Sequence, residues 1–387
     1  MNVKDNWAAE LLEKSNKLSK TTYFPNVFTG HEESLNNISN MFLKFNTLEV
    51  PQIRAWVDGG QRYTVIDKLI ELTEQKDKSL IKRLADATDS NEFCVTFNGL
   101  TSWCTNFAKK MQKEILDPLF KIFGDSSKFG TDFYTFFGNY GYTPFGVHDD
   151  TDHSLLWHLG PSSKKAYIWP REIYESITGG TLATQDYETL LPHALSFTLE
   201  PGDLLFIPSG DFHILETTDF SVTLGLTIFP ESTQLECLDG LKLLVSDSST
   251  YENLPLESFT LQEIIKLRRL SLKSNGFVIS QPKLSTVDTV IQENAFYLKN
   301  TELYVEPSWP LCVLELSNRT VLLVRKRAIW AQKNEIFTYL SEIFNKFEKI
   351  SYSKLEKDLI DKINPAELSN LIYKIHKLGG LRIEKKS

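Results

Sequence analysis

The amino-acid sequence predicts an α+β protein in which an antiparallel β barrel or sandwich lies between helical regions. Short apolar or aromatic runs alternate with turn sequences from about residue 131 to residue 230, and several short strands at this spacing are typical of such a β fold. Before them, Phe107, Met111 and Ile115 recur at helical spacing. Helical patterns return after Pro230. The changes of pattern therefore place the β core in the middle of the chain.

We expect four regions along the chain. Residues 1–130 have mixed, largely helical patterns, and residues 131–230 carry the strands of the β core. Residues 231–330 are expected to form a helical dimerisation and connecting region. Residues 331–387 have the pattern of three helices followed by a short strand, an order that resembles a winged helix.

The region after the β core is predicted to contribute to a subunit contact. Thr260 and Glu263 have the spacing of a capping box, which marks the start of a helix. The apolar positions of this helix lie on more than one face, so that a monomer would leave apolar surface in water. We therefore expect a homodimer with two-fold symmetry, built partly by residues 231–276. The same helix carries basic residues that we expect to be solvated: Lys266, Arg268, Arg269 and Lys273.

Charge and composition narrow the possible partners. The net charge is −8, which argues against a general nucleic-acid binder. Residues 331–387 contain eleven Lys and Arg against eight Asp and Glu, a small excess for DNA recognition by a winged helix. Nucleic acid is therefore an unlikely partner, and a structural or protein-contact use of this region is favoured.

The first residues, the apolar runs and the cysteine spacing of the sequence favour a cytoplasmic location. The first residues are polar and charged, and no apolar run approaches the ~18 residues of a membrane span. The four cysteines are widely spaced and contain no CxxC pair, so that reduced thiols are expected rather than a disulfide framework. We expect no contact with a membrane.

The strongest chemical signal is GDLLFIPSGDFH, residues 202–213. Its glycine, proline and histidine positions resemble the second sequence motif of the cupins. The turn at Gly202 begins a strand, and the turn at Pro208 and Gly210 returns the chain toward the barrel. This pattern predicts that His213 points inward as a metal ligand.

Upstream, GVHDDTDH places His148 and Asp150 two residues apart. On a strand, both side chains would point to the same face. Together with His213 they would form the two-histidine, one-carboxylate triad that leaves coordination positions open on Fe(II). Those positions suit a chelating 2-oxo acid and O2. Asp149, Asp152 and His153 crowd the same segment, and His153 could instead join an all-histidine site.

The run HDDTDHSLLWHLG, followed by KKAYIWP, resembles the JmjC-type 2-oxoglutarate oxygenases, and among them the ribosomal-oxygenase and asparaginyl-hydroxylase branch. The resemblance implies a double-stranded β-helix (cupin or jelly-roll) core with a helical N-terminal region, a helical dimerisation region and a C-terminal winged helix. It also implies Fe(II), 2-oxoglutarate and O2 as metal and cosubstrates. Asp149 stands where that branch usually has an aromatic residue, and the turn before the lysines is one residue longer.

In such enzymes a fixed cation on the barrel wall holds the far carboxylate of 2-oxoglutarate. The spacing to Trp169 favours Lys164, and its neighbour Lys165 is the alternative. Tyr134 and Thr143 are candidates for an assisting hydrogen bond.

Three further residues near the predicted barrel bear on the site. Arg171 lies beyond Pro170, at the end of the predicted strand, and is expected outside the cavity. Tyr140 and Tyr142 are candidates for the mouth of the substrate cavity, although an aromatic-rich strand is more often plain core.

The function indicated is hydroxylation of a protein or peptide side chain by an Fe(II)- and 2-oxoglutarate-dependent dioxygenase. The same chemistry on a small molecule or natural-product intermediate is an alternative. A third hypothesis is a regulator that senses a ligand without turnover. The intact triad argues against it, because a pure sensor has no need of open iron positions.

Overall fold

A computed structural model of the protein describes most of the chain, in the ranges 2–43, 53–71, 80–89, 92–123, 128–230, 232–245, 259–282, 298–316, 319–333 and 335–385. The chain divides into two units. Unit 1 comprises residues 1–124 and 131–230, and unit 2 comprises residues 125–130 and 231–387. Among the described residues, no helix combines the length and the apolar character that crossing a bilayer requires.

The helices of unit 1 lie mostly before the β core. Within the described residues they are α1 (Trp7–Lys14), α2 (His31–Leu43), α3 (Thr64–Glu71), α4 (Leu80–Thr88), α5 (Leu100–Trp103), α6 (Thr105–Met111), α7 (Asp117–Phe123) and α8 (Arg171–Thr178). A π-helical turn, Gln112–Leu116, joins α6 to α7. The helix that the apolar spacing at Phe107, Met111 and Ile115 predicts is therefore confirmed, and these three side chains are buried.

A large sheet of eight strands forms one wall of unit 1 in the described residues. Its strands lie side by side in the order β2 (Thr22–Phe24), β13 (Leu204–Ile207), β10 (His153–Pro161), β15 (Ser221–Phe229), β7 (Gly130–Gly138), β6 (Phe93–Asn98), β4 (Ile53–Val57) and β5 (Gly60–Gln61). Strand β10 runs antiparallel to both of its neighbours. Four of these strands come from the first 130 residues, so the region expected to be largely helical also extends the sheet.

A second sheet carries the segments of greatest chemical interest. It consists of β12 (Leu195–Leu199), β11 (Lys164–Trp169), β14 (Phe212–Thr217) and β8 (Gly141–Tyr142), with β9 (His148–Asp149) also paired to β14. A pair of two-residue strands, β1 (Asn2–Val3) and β3 (Phe28–Thr29), lies apart from both sheets.

The two sheets of unit 1 face each other across a shared core. One buried cluster contains Leu156 and Leu205 from the large sheet together with Ile168 and Leu215 from the second sheet. Alternation along β11 turns Lys164, Ala166 and Ile168 to the buried side. In register, Ile168 lies opposite His213. The cupin-motif histidine is therefore held on a strand whose inner face packs into the core.

Unit 2 combines helices with two small sheets. Its described elements are α9 (Thr233–Val245), α10 (Leu261–Lys273), β16 (Thr301–Tyr304), β17 (Cys312–Glu315), β18 (Arg319–Val324), β19 (Arg327–Gln332), α11 (Ile336–Lys346), β20 (Lys349–Ser351), α12 (Tyr352–Leu359), α13 (Pro365–Lys377) and β21 (Arg382–Lys385). The predicted capping box of α10 is confirmed, because the Thr260 and Glu263 side chains each bond the other residue's backbone N–H.

Two expectations for unit 2 need correction. Residues 301–332 form strands rather than helices, because Val321 to Val324 is a continuous apolar run that is buried on both faces of β18. Arg268 is buried rather than solvated. It lies beside the carboxylate of Glu236, which also accepts two hydrogen bonds from Arg269.

Candidate metal centre

A cavity of about 500 Å³ lies in unit 1. The strands β4, β6, β7, β10, β13, β14 and β15 contribute to its wall, as does the segment from Thr143 to Asp152. The predicted metal ligands His148, Asp150 and His213 all line it.

The three predicted ligands come together. One ligand atom from each of His148, Asp150 and His213 lies within 4.8 Å of the others, and this is the group of metal-capable side chains found among the described residues. His148 and His213 are directly opposite in the β9–β14 pair, and their ring centroids are 4.5 Å apart. An Asp150 Oδ2 lies 3.8 Å from His213 Nε2.

Backbone carbonyls set the orientation of both imidazoles. Nδ1 of His148 lies 3.0 Å from the carbonyl oxygen of Gly146, and Nδ1 of His213 lies 3.3 Å from that of Asp211. A protonated Nδ1 would donate there and leave each Nε2 for a metal, which is the usual arrangement around histidine ligands. Burial lowers the pKa of His213, and the nearby His148 lowers it further. A neutral imidazole is the form that binds a metal, so this donor set fits a divalent ion.

The neighbouring residues that could have joined the site have other partners. Asp149 faces away from the cavity and forms an ion pair with Arg171. Nδ1 of His153 accepts a hydrogen bond of 3.0 Å from the backbone N–H of Ser209. Asp152 lines the cavity, and burial raises its pKa to about 6.

Arg171 contacts residues next to the predicted ligands His148 and His213, on the side of the strands opposite the cavity. Besides its ion pair with Asp149, its guanidinium lies 5.3 Å from the ring centroid of Phe212. Phe212 is opposite Asp149 in the β9–β14 pair, and its ring stacks on Tyr174 at 3.6 Å. The backbone N–H of Gly210 donates to the Asp150 carbonyl at 2.9 Å. Arg171 is thus outside the cavity, as expected, yet it contacts the residues next to both ligand histidines.

Lys164 is the inward member of the lysine pair. It is 1% exposed, and its Nζ donates hydrogen bonds of 3.0 Å to the Tyr140 hydroxyl and to Thr223 Oγ1. Burial lowers its pKa to about 8. The Lys165 side chain is 54% exposed and lies near Glu216. Strand alternation therefore separates the two lysines, one buried and one at the surface.

The two predicted assisting residues line the cavity but do not contact Lys164. The Tyr134 hydroxyl donates to Ser154 Oγ at 3.3 Å, and its ring lies so close to Gly225 that a Cβ there would be 2.1 Å from the ring. The Thr143 hydroxyl accepts from the Leu215 backbone N–H at 3.3 Å.

The hydrogen-bond partners of Lys164 differ from those that the sequence predicted. Tyr140, a candidate for the mouth of the cavity, instead accepts a hydrogen bond from Lys164. Thr223, the second acceptor, was not among the predicted site residues. The period-two spacing of Thr223, Gly225 and Thr227 on β15 was the available signal, because such positions share one face of a strand.

We predict that Arg171→Gln weakens metal binding although Arg171 is not a ligand. Loss of the Arg171 contacts to Asp149 and Phe212 should raise the dissociation constant for Co(II) about tenfold, the scale seen for residues that support metal ligands. Isothermal titration calorimetry measures this constant. Glu175→Gln is the matched control, because Glu175 pairs with Arg171 at 3.2 Å from the other side and leaves the Asp149 pair intact. Equal Co(II) affinity in wild type and Arg171→Gln would show that the Arg171 contacts do not affect metal binding.

Comparisons with known proteins bear on the fold. No family model matches the chain, and no curated protein matches its sequence. Among solved structures, the chain is similar to the ribosomal oxygenase YcfD from Escherichia coli. The YcfD complex with cobalt and succinic acid gives a TM-score of 0.53 at 13% identity, and the complex with cobalt and 2-oxoglutarate gives 0.52 at 14%. Each comparison covers 99% of both chains. This protein therefore has the mixed fold, with its large antiparallel sheet, of the ribosomal oxygenases.

Proposed function

We propose that this protein is an Fe(II)- and 2-oxoglutarate-dependent oxygenase that hydroxylates a protein or peptide side chain. The observation that carries the proposal is the convergence of His148, Asp150 and His213, with ligand atoms within 4.8 Å of one another at the wall of a cavity. Two imidazoles and one carboxylate leave coordination positions open for a chelating cosubstrate and oxygen. The similarity in fold to YcfD, which has been crystallised with cobalt and 2-oxoglutarate, supports the same choice.

The reaction assigns distinct tasks to the residues of the site. Bound iron would supply the place where O2 is reduced at the expense of 2-oxoglutarate, which loses CO2 and becomes succinate. One oxygen atom enters succinate and the other converts a substrate C–H into C–OH. His148 and His213 would hold the metal through Nε2, and the Asp150 carboxylate would offset part of its charge. Leu156, Ile207 and Leu215 line the cavity and reduce the access of water.

Lys164 is proposed to bind the C5 carboxylate of 2-oxoglutarate. Its hydrogen-bond partners among the described residues are two hydroxyls, which orient the ammonium but do not neutralise it. A buried cation without a counter-charge is costly, so an anionic ligand would be favoured there. Thr223 of β15 accepts a hydrogen bond from Lys164. Gly225 and Thr227 follow Thr223 at a spacing of two on the same face of β15, and Thr227 lines the cavity. The role proposed for Lys164 is supported by its burial and by its hydrogen bond to Thr223 of β15.

The fold is proposed to be a double-stranded β-helix of the cupin type. Support comes from the two facing sheets, whose side chains share one core cluster, and from the position of His213 on an inner strand. The division into four regions, 1–130, 131–230, 231–330 and 331–387, stays a proposal. So does the winged helix in 331–387, which is supported by the order of α11, α12, α13 and β21.

A protein or peptide side chain is favoured as the substrate over a free small molecule. The cavity of about 500 Å³ is large enough for one long side chain, and the similar structures are of an enzyme described as a ribosomal oxygenase. The described cysteines are free thiols, which agrees with the reducing cytoplasm proposed as the location. Mass spectrometry of cellular proteins with and without the active enzyme tests this choice. A peptide that gains one oxygen atom supports it, whereas oxygen gained only by metabolites favours the alternative.

A homodimer is proposed from the surface of unit 2. The side chains of Leu235, Leu238 and Val245 are 51%, 50% and 59% exposed, and their spacing places them on one side of α9. Leu261, at the start of α10, is 54% exposed. Burial of such residues against a second copy would remove apolar surface from water.

We predict that His213→Ala abolishes both metal binding and turnover while the protein stays folded. The loss of one of three ligands leaves too few donors for a stable site. Calorimetry with Mn(II) and circular dichroism together measure binding and fold. Asp149→Ala is the comparison variant: its carboxylate pairs with Arg171 instead of facing the cavity, so it should retain the metal with no more than the roughly tenfold weakening expected for loss of that ion pair. If Asp149→Ala loses the metal and Asp150→Ala retains it, the assignment of the carboxylate ligand is wrong.

We predict that Lys164→Met raises the Michaelis constant for 2-oxoglutarate by about a hundredfold, the upper scale for a lost charged hydrogen bond of roughly 1.5–3 kcal/mol. Lys165→Met, on the exposed neighbour, should change it little. Because burial lowers the pKa of Lys164 to about 8, the ammonium is lost as pH rises through that value, and 2-oxoglutarate binding should weaken above pH 8. Lys164→Arg should remove this pH dependence. Equal constants in all variants would exclude Lys164 from the cosubstrate site.

We predict that wild type is a dimer at micromolar concentration and that Leu238→Glu shifts it to a monomer, because the new charge would be buried in the contact. Multi-angle light scattering measures the mass. Ile360→Glu is the control, since Ile360 is also exposed (61%) but lies outside α9 and α10. A monomeric wild type would end the proposal of a dimer.

A further inference from the structure

His158 is a fully buried histidine that the proposed reaction has so far left without a role. It lies on β10 directly opposite Thr223 of β15. Its Nε2 lies 2.7 Å from the carbonyl oxygen of Ser162, and its Nδ1 lies 3.5 Å from Thr223 Oγ1. The same Oγ1 accepts a hydrogen bond of 3.0 Å from Lys164 Nζ. A single hydroxyl group therefore connects His158 to Lys164.

The contact with Ser162 defines the tautomer of His158. A carbonyl oxygen can only accept a hydrogen bond, so the ring nitrogen that lies 2.7 Å from it carries a proton. Burial and the nearby charge of Lys164 lower the pKa of His158 to about 4, and the ring is therefore neutral near pH 7. A neutral imidazole with its proton on Nε2 has a lone pair on Nδ1. Nδ1 thus faces Thr223 as a hydrogen-bond acceptor.

An acceptor at Nδ1 determines the direction of the Thr223 hydroxyl. A hydroxyl has one hydrogen to donate and two lone pairs, so that a hydrogen aimed at Nδ1 leaves the lone pairs for Lys164. The ammonium then donates to the hydroxyl, the hydroxyl to the imidazole, and the imidazole to the backbone carbonyl. Hydrogen bonds that run in one direction along a chain strengthen one another. The contact between hydroxyl and imidazole is the longest of the three, and the direct strand pairing of His158 with Thr223 maintains it.

His158 also contacts the turn that leads to Lys164. Ser162 lies between the end of β10 and the start of β11, two residues before Lys164. The pairing of β10 with β15 shifts its register between His158 and Gly160, so the strand ladder is irregular at this point. The bond from His158 Nε2 to the Ser162 carbonyl adds a connection there. Both contacts of the ring therefore restrict where the Lys164 ammonium lies.

We propose that His158 is a positioning residue for the binding of 2-oxoglutarate and acts on Lys164 through the Thr223 hydroxyl. This inference rests on the role proposed above for Lys164. An ammonium has three N–H groups, and the hydroxyls of Tyr140 and Thr223 accept from two of them. The third remains for the C5 carboxylate of the cosubstrate. Because fixed acceptors hold the ammonium in one orientation, less conformational freedom is lost when the carboxylate binds.

Calorimetric titration of 2-oxoglutarate into the Mn(II)-loaded protein tests the proposal. In His158→Gln, the side-chain amide can still donate to the Ser162 carbonyl, but no acceptor lies at the position of Nδ1. We expect the dissociation constant for 2-oxoglutarate to rise about fivefold, the scale of one net hydrogen bond. Circular dichroism checks that the variant folds. His193→Gln is the matched control and should bind like wild type, because His193 is an exposed histidine outside the cavity.

A double-mutant cycle separates positioning through Thr223 from a general structural role. Thr223→Val replaces the hydroxyl with a methyl group of similar size and so removes the connection between His158 and Lys164. His158→Gln should therefore have no further effect on 2-oxoglutarate binding in the Thr223→Val background. Nitrogen-15 NMR of histidine-labelled protein gives a readout without cosubstrate. The ring whose Nδ1 signal shifts in Thr223→Val should be neutral and protonated on Nε2 at pH 7.

Three results would overturn the proposal. A dissociation constant in His158→Gln equal to that of wild type, or a fivefold rise that persists in the Thr223→Val background, would show that His158 does not act through Thr223. A His158 ring protonated on Nδ1 at pH 7 would remove the acceptor on which the chain depends. Failure of the wild type to bind 2-oxoglutarate would contradict the proposed function itself, and this result is recognised without any variant.

Discussion

The pairing of β9 with β14 is the contact on which the proposed chemistry depends. It places His148 directly opposite His213, and it joins a two-residue strand to one of the inner strands of the second sheet. A slip of one residue would turn Asp149 toward the cavity and His148 away from it, because neighbouring side chains on a strand alternate. Arg171 opposes such a slip, since it holds Asp149 and Phe212 on the outer face of the same pair. The proposed metal ligands are therefore held in register by contacts on the face of the strand pair that points away from the cavity.

The buried positive charge of Lys164 is the feature that suits the proposed binding of 2-oxoglutarate. Lys164 is held by the hydroxyls of Tyr140 and Thr223, and its pKa is lowered because the charged form is poorly solvated. Such a buried charge is unfavourable by itself and becomes more favourable beside a bound anion.

Much of the candidate site could be predicted from the sequence, because the motifs have a fixed spacing and strands alternate with a period of two. That reasoning found His148, Asp150 and His213, and it placed Lys164 inside and Lys165 outside. It did not find the partners of Lys164, since hydrogen bonds between distant strands depend on register, which no local pattern specifies. Strands β4 and β6 were not predicted, because strands of five or six residues between helices give a weak periodic signal. They extend the large sheet, since β6 pairs with β7 and β4 pairs with β6.

The central claim is that the His148, Asp150 and His213 centre binds iron together with 2-oxoglutarate. Anaerobic titration of the purified protein with Fe(II) and 2-oxoglutarate tests it most directly, since chelation of the metal by a 2-oxo acid gives a charge-transfer absorption in the visible region and needs neither substrate nor turnover. The account predicts that the absorption requires both additions, saturates at one equivalent of iron and is lost in His213→Ala. An absorption that is absent in the wild type, or that persists in His213→Ala, would contradict it.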